Sequence, residues 1–216
     1  MLRVICATAL VAMLALDGSV VLAQSTPPAR FGVLGGVSLA TLGGKDVDEV
    51  DQRTGVVGGV SVTLPIRGRW SLEVDGLFSQ KGATASDASE SLTVKLDYFE
   101  VPLLARYDFD GEKVRPHLAG GVGLGFRTSC EARGANEEFV AEVDCATIEN
   151  DPDSDLRFRK FDLGLVVGGG LDFLMANDRA FTVGARYVHG VTDVVKEVVV
   201  RNRTIQLYVG FSLPLR

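Results

Sequence analysis

Two histidines, three cysteines and one tryptophan among 216 residues leave little imidazole or thiol chemistry to build a catalytic or metal centre from. Basic charge is not in excess either: 22 Lys and Arg against 28 Asp and Glu give a net charge of −6, which argues against a nucleic-acid partner. Beyond the N-terminus no apolar run reaches the roughly 20 residues that a membrane-spanning helix needs. Also missing is the helix that "RKFDLGLVVGGGLDFLM" (159–175) would need to open a phosphate-binding turn. Such a turn sets G-x-G-x-x-G between a strand and an amphipathic helix whose free N–H groups face the anion. Here Gly168, Gly169 and Gly170 sit inside the apolar run, and Leu171, Asp172 and Phe173 continue an alternation with no helical face.

The N-terminus sets the compartment. Arg3 precedes the apolar run "VICATALVAMLAL", and Val21 and Ala23 supply small residues at the −3 and −1 positions. Residues 1–23 therefore read as a secretory signal peptide and 24–216 as one exported domain. A membrane anchor fits less well, because Asp17 and Gly18 interrupt the run. Cys6 lies inside it, so Cys130 and Cys145 are the two cysteines of the exported part. An even count in an exported chain points to one disulfide. A metal site is the alternative, weakened by the lack of histidine between them.

What the chain has in excess is glycine, 25 residues against a usual ~7%, and period-two alternation. In 159–175, Phe161, Leu163, Leu165, Val167, Leu171 and Phe173 share one face, opposite Asp162, Gly164, Gly168, Gly170 and Asp172. Seven further segments alternate likewise: "RFGVLGGVSLATL", "TGVVGGVSVTLPI", "RWSLEVDGLFSQKG", "YFEVPLLARYDF", "VRPHLAGGVGLGFRT", "AFTVGARYVHGVTDV" and "RTIQLYVGFSLPL". Pro102, in the fourth of the eight, is expected at a bulge or weak point. Connections are short near 67–69, 110–113 and 176–179, and long elsewhere, the longest spanning about 128–159. An even strand count with tight turns at one end and long loops at the other is the pattern of an outer-membrane barrel. The expected fold is therefore all-β, an eight-stranded antiparallel transmembrane up-and-down β-barrel.

"FGVLGGVSLATL", "WSLEVDGLFSQKG", "LDYFEVPLLARYDF", "RPHLAGGVGLGF" and "FTVGARYVHGVTD" resemble the porin-family outer-membrane β-barrel domain, related in architecture to small OmpA/OmpX-like barrels. The resemblance covers nearly all of 24–216 and implies fold and location in a Gram-negative outer membrane more strongly than activity. It implies lipid and lipopolysaccharide around the barrel, the outer-membrane assembly machinery as a partner, and a monomer. Such barrels end on an aromatic residue; this chain ends "FSLPLR", and its nearest aromatic is Phe211.

In a bore this narrow the inward face is filled by side chains. Glu73, Asp75, Lys81, Glu100, Arg106, Arg115, Asp162, Asp172 and Arg186 fall on that face among glycines, so an interior salt-bridge network is expected ahead of a proton or solute path. Outward aromatics are expected as two girdles, one at each interface. Between 131 and 157, nine acids (Glu131, Glu137, Glu138, Glu142, Asp144, Glu149, Asp151, Asp153 and Asp155) stand against Arg133 and Arg157. Asp151, Asp153 and Asp155 have the spacing of alternate calcium ligands, but no glycine or glutamate completes the loop pattern. A solvated acidic loop is the stronger reading, and no metal or other cofactor is expected. His189 falls on the outward face, but Val191 stands where eight-stranded barrels resembling lipid A deacylases carry a serine. The function expected is non-enzymatic: a structural, adhesion or ligand-contact role through extracellular loops, with an extracellular ligand as the partner of that contact. A porin-like small-solute channel and a secreted lipocalin-like binding barrel are the alternatives.

Overall fold

The structure is a computed structural model describing residues 28–44, 51–86, 90–136, 140–149, 159–194 and 200–215. The expected signal peptide and Asp151, Asp153 and Asp155 lie outside the described residues. The strands are β1 (Arg30–Gly44), β2 (Asp51–Arg67), β3 (Trp70–Ser86), β4 (Glu90–Asp108), β5 (Val114–Asn136), β6 (Val140–Asp144), β7 (Phe161–Leu174), β8 (Ala180–Gly190) and β9 (Val200–Pro214), with a short helix α1 (Cys145–Glu149) after β6. Eight of the nine form a ring of antiparallel neighbours in the order β1, β2, β3, β4, β5, β7, β8, β9. The ring closes where β1 pairs β9 from Arg30↔Pro214 to Gly44↔Val200. β6 stands outside it, paired only to the far end of β5.

The faces of the ring are inverted relative to a water-soluble barrel. Phe31, Val33, Leu118, Leu165, Val167, Val209 and their neighbours on the outer face are exposed, with large apolar side chains 38–66% accessible, whereas serines, threonines and charged groups fill the inside. Cross-strand aromatic rows bound the apolar band. One row runs Phe78↔Phe99↔Phe126↔Phe161 across four neighbouring strands. At the end with tight turns lie Trp70↔Tyr107 and Phe173↔Phe181↔Phe211. Trp70, Tyr107 and Phe109 meet edge to face at 5.0 and 5.1 Å between centroids, a favoured geometry for aromatic quadrupoles. Phe99 and Tyr107 are separated along β4 by about 27 Å at ~3.4 Å rise per residue, or roughly 20 Å after strand tilt, close to the height of a lipid-facing band.

The tight-turn end carries the β2–β3, β4–β5 and β7–β8 connections and is the periplasmic end in a barrel of this kind. Gly68 turns the first of these with φ +59°, a conformation L side chains disfavour. At the opposite end β4 and β5, with 19 and 23 residues, exceed the roughly 9–11 that cross a bilayer. Residues 128–159, expected as one loop, thus carry regular elements: β5 continues to Asn136, and β6 and α1 follow.

The register shifts between β2 and β3, at Gln52/Val57 and at Pro65/Arg67, and the pairings of β4 carry two further features. Pro102 makes no bulge. The β3–β4 register is the same on both sides of it, Val74↔Leu103 below and Leu77↔Glu100 above, while the rungs at Val101 and Pro102 are absent from the ladder, as expected for a residue with no N–H. A true bulge lies in β5, where Asp97↔Ser129 and Tyr98↔Arg127 leave Thr128 as the extra residue. Its hydroxyl donates to the Asp97 carbonyl at 3.1 Å. The extra residue switches the face on which even-numbered residues lie, so that Phe126 points outward whereas Cys130 is buried.

Midway along the bore one side of the inward face is apolar. Leu104, Val166 and Val188 form a buried cluster with Ala119 against it, and Leu77, fully buried, holds the corresponding place on β3. Leu104→Ala should lower barrel stability by about 2–5 kcal/mol, the usual effect of deleting buried methyl groups. Urea unfolding from lipid vesicles measures this; a change below about 1 kcal/mol would mean the waist is not packed.

Candidate functional site

Below the apolar waist β3, β4, β7 and β8 bring together one ionic cluster. Arg106 donates to Glu73 at 3.0 Å, to Asp108 at 2.9 Å, and to Asp172. Arg186 donates to Asp75 at 2.6 Å, lies 3.4 Å from Glu73, and stacks over the Tyr208 ring at 4.7 Å. Gly184 makes room for that ring, since a Cβ there would fall 2.5 Å from it. Thr182 donates to Asp172 at 2.7 Å, and His117 Nδ1 lies 3.6 Å from the same carboxylate. Asp108, His117 and Asp172 could each offer one metal-ligand atom, all within 4.8 Å of one another. Arg106 already bonds both carboxylates, which makes the trio an ion-pair node better than a cation site.

Above the waist lies a second cluster. Lys81 pairs with Glu100 at 2.5 Å and approaches Asp162 at 3.8 Å. Gln206 donates to Glu100 at 3.1 Å and Ser79 at 3.3 Å, Asn202 donates to Asp162 at 2.8 Å, and Thr192 donates to the same residue at 2.8 Å. Only about 10 Å³ of free space remains among these groups, the volume of one water-sized sphere. Among the described residues no ion pair joins the two clusters.

The extracellular end of the bore is apolar again. Leu96, Tyr98, Cys130, Cys145 and Val194 form a buried cluster with Leu42 and Val94 against it. The Cys130–Cys145 disulfide, with Cα atoms 5.4 Å apart, ties α1 to β5 inside this cluster. On the outer face of the same extension Lys95 hydrogen-bonds Glu142 and lies 3.6 Å from Glu131, which holds the Glu142 carboxyl below its ordinary range. The periplasmic end is open by contrast: a cavity of about 480 Å³ reaches up to the lower ionic cluster, lined by Arg30, Ser71, Glu73, Arg106, Arg115 and Asp172 among others.

Eight of the nine charged residues expected inside are buried, but in two clusters where one network was expected. Arg115 is the exception: half-buried at the cavity, it forms no salt bridge among the described residues. Its cross-strand neighbour Asp172 is already engaged by Arg106 and Thr182. Leu77, Leu104 and Val166 give no signal in the sequence, because each lies beside apolar residues of the opposite face. Gln206, Asn202 and Ser79 carry no charge, and a search for charged groups does not find them. His189 is half-buried on the outer surface with Tyr187 Oη 3.4 Å from its Nδ1.

Two outcomes follow from this geometry. Arg186→Ala leaves Asp75, 2% exposed, without its cation and should lower stability by about 3–5 kcal/mol, while Asp75→Asn combined with Arg186→Gln should lower it less. Equal losses in urea unfolding would show that the pair is not coupled. Thiol titration of denatured, unreduced protein should find neither Cys130 nor Cys145 free; two reactive thiols beyond Cys6 would refute the bridge.

Solved structures with this architecture are similar to the chain at low identity. Neisserial surface protein A shares 18% identity, with a TM-score of 0.48 over 86% of this chain and 97% of that one. Ail, the attachment invasion locus protein of Yersinia pestis, shares 15%, TM-score 0.45, over 86% and 99%. The outer membrane enzyme PagL shares 12%, TM-score 0.34, over 87% and 99%. No curated protein matches the sequence. Residues 22–196 match the family described as outer membrane protein beta-barrel domain. With four-fifths of its length matched and its apolar face turned outward around a closed ring, the chain is a member of the outer membrane β-barrel family.

Proposed function

We propose that this protein is a non-conducting, non-enzymatic barrel that works through its extracellular extension, as a structural or adhesion and ligand-contact element. The observation that carries this reading is the filling of the bore: an apolar plug, a paired polar cluster and an apolar waist lie in series above the periplasmic cavity. A hydrated solute would have to shed water at the plug and again at the waist, where apolar side chains take up much of the wall. What remains available outside is the disulfide-tied sheet of β4, β5 and β6 with its acidic surface. The lipocalin-like alternative calls for apolar residues inside and charges outside, the reverse of the faces seen here.

In this reading lipid and lipopolysaccharide contact the outward apolar band, the assembly machinery reads the outward face of β9 around Phe211, residues 1–23 direct export, and the barrel is monomeric. Single-channel recording of purified protein in a planar bilayer should be silent or flicker only rarely; large, steady openings would replace this reading with the porin-like one. For the contact role, bacteria displaying the whole chain are compared with bacteria displaying a chain shortened across 137–158. Adherence to host cells should fall with the shortened chain while the barrel still resists unfolding in cold detergent, and equal adherence would remove the extension from the function.

A further inference from the structure

We propose that the periplasmic cavity is a binding site for a small dianionic oxyanion of the phosphate-monoester class, held by Arg30 and Arg115 from opposite walls. The ring order sets β1 and β5 four strands apart in either direction, so these two arginines enter the cavity across its full width. Two further arginines of the cavity wall are saturated: Arg106 by three carboxylates, Arg186 by Asp75, Glu73 and the Tyr208 ring. Arg30 and Arg115 form no salt bridge among the described residues. Arg30 donates through Nε to Ser212 at 3.2 Å, which fixes its fork, and its buried Nη2 has no partner.

A second donor is left over at the same place. Ser71, 5% exposed, lines the cavity with an unpartnered hydroxyl. The carboxylates deep in the cavity wall have partners of their own: Asp172 is bonded by Arg106 and Thr182, Asp108 by Arg106, and Glu73 by Arg106 and Arg186, while Asp178 stands exposed at the rim. Guanidinium forks match the oxygens of phosphate, and two such cations complement a dianion, while the hydroxyl adds a neutral donor to a third oxygen. The cavity, about 480 Å³, lies in the size range of small-molecule sites and exceeds what a bare inorganic ion fills. The same chemistry is presented by a soluble phosphate monoester in the periplasm and by the monoester headgroup of phosphatidic acid in the inner leaflet.

The test uses the full folded chain in a phosphate-free maltoside detergent at low salt, with amide shifts followed by NMR during titration. Glycerol 3-phosphate and dihexanoyl phosphatidic acid are the two probes, with chloride as the control anion. Saturable shifts confined to the periplasmic end with glycerol 3-phosphate support the site and a soluble ligand; saturation with the lipid alone supports the site and a headgroup. Arg30→Gln and Arg115→Gln should each weaken binding about tenfold or more, as expected for losing a charge-assisted pair, whereas Lys95→Gln, in the extracellular extension, should leave it unchanged. If an arginine variant fails to give the β-sheet circular dichroism of the parent, Ser71→Ala replaces it, with an expected weakening of about threefold to tenfold. No saturation with either probe, equal saturation with chloride, or full binding in the folded variants would overturn the proposal.

Discussion

Closure of the sheet by β1 on β9 is the constraint from which the remainder of the molecule follows. An open edge in hydrocarbon would leave a column of N–H and C=O groups without partners, each destabilising by several kcal/mol. The fifteen rungs from Arg30↔Pro214 to Gly44↔Val200 remove that edge. Once the ring is closed, period-two alternation assigns every side chain to lipid or to the bore. The apolar set takes the outside, and everything polar is confined to a cylinder too narrow to hold bulk water.

Confinement explains the interior. A charge in that cylinder has no solvent to turn to, so each carboxylate needs a donor within reach, and the pairs at Glu73–Arg106, Asp75–Arg186 and Glu100–Lys81 supply them. Such pairs add little net stability relative to a well-packed apolar filling, while breaking one is strongly destabilising. The waist around Leu104, Val166 and Val188 is that apolar filling, placed where the bore is farthest from water at either end. The charged clusters flank it.

The alternation was legible because the outer face must be apolar at every second position along a lipid-facing strand, and the short connections marked one end as surely as the long ones marked the other. Which residues face inward at the waist was less legible. In "LLAR" and "LVVGG" both faces are apolar for two or three residues, and period two carries no contrast there. The bulge at Thr128 left no sequence signal, yet it decides where Cys130 points. Without it Cys130 would share the outward face of Phe126, and the bridge to Cys145 would lie outside the plug. For Arg115 the parity is right, but parity cannot tell that the nearest carboxylate already has its partners.

The two ends of the bore are chemically unlike, and this asymmetry bears on how such a barrel can act. At the extracellular end the strands rise past the aromatic row, the bulge turns Cys130 inward, and the disulfide with Leu96, Tyr98 and Val194 seals the opening with apolar side chains. At the periplasmic end the turns are too short to fold back over the mouth, and polar groups line an open cavity. A partner outside the cell therefore meets only a surface, whereas a small molecule in the periplasm meets a concave site with unpaired donors. In the proposed reading the waist separates them, so that the extension varies in sequence without disturbing the cavity, and the cavity fills or empties without opening a path through the membrane. Coupling between the two ends, if there were any, would have to run through the rigid strands themselves and not through the contents of the bore.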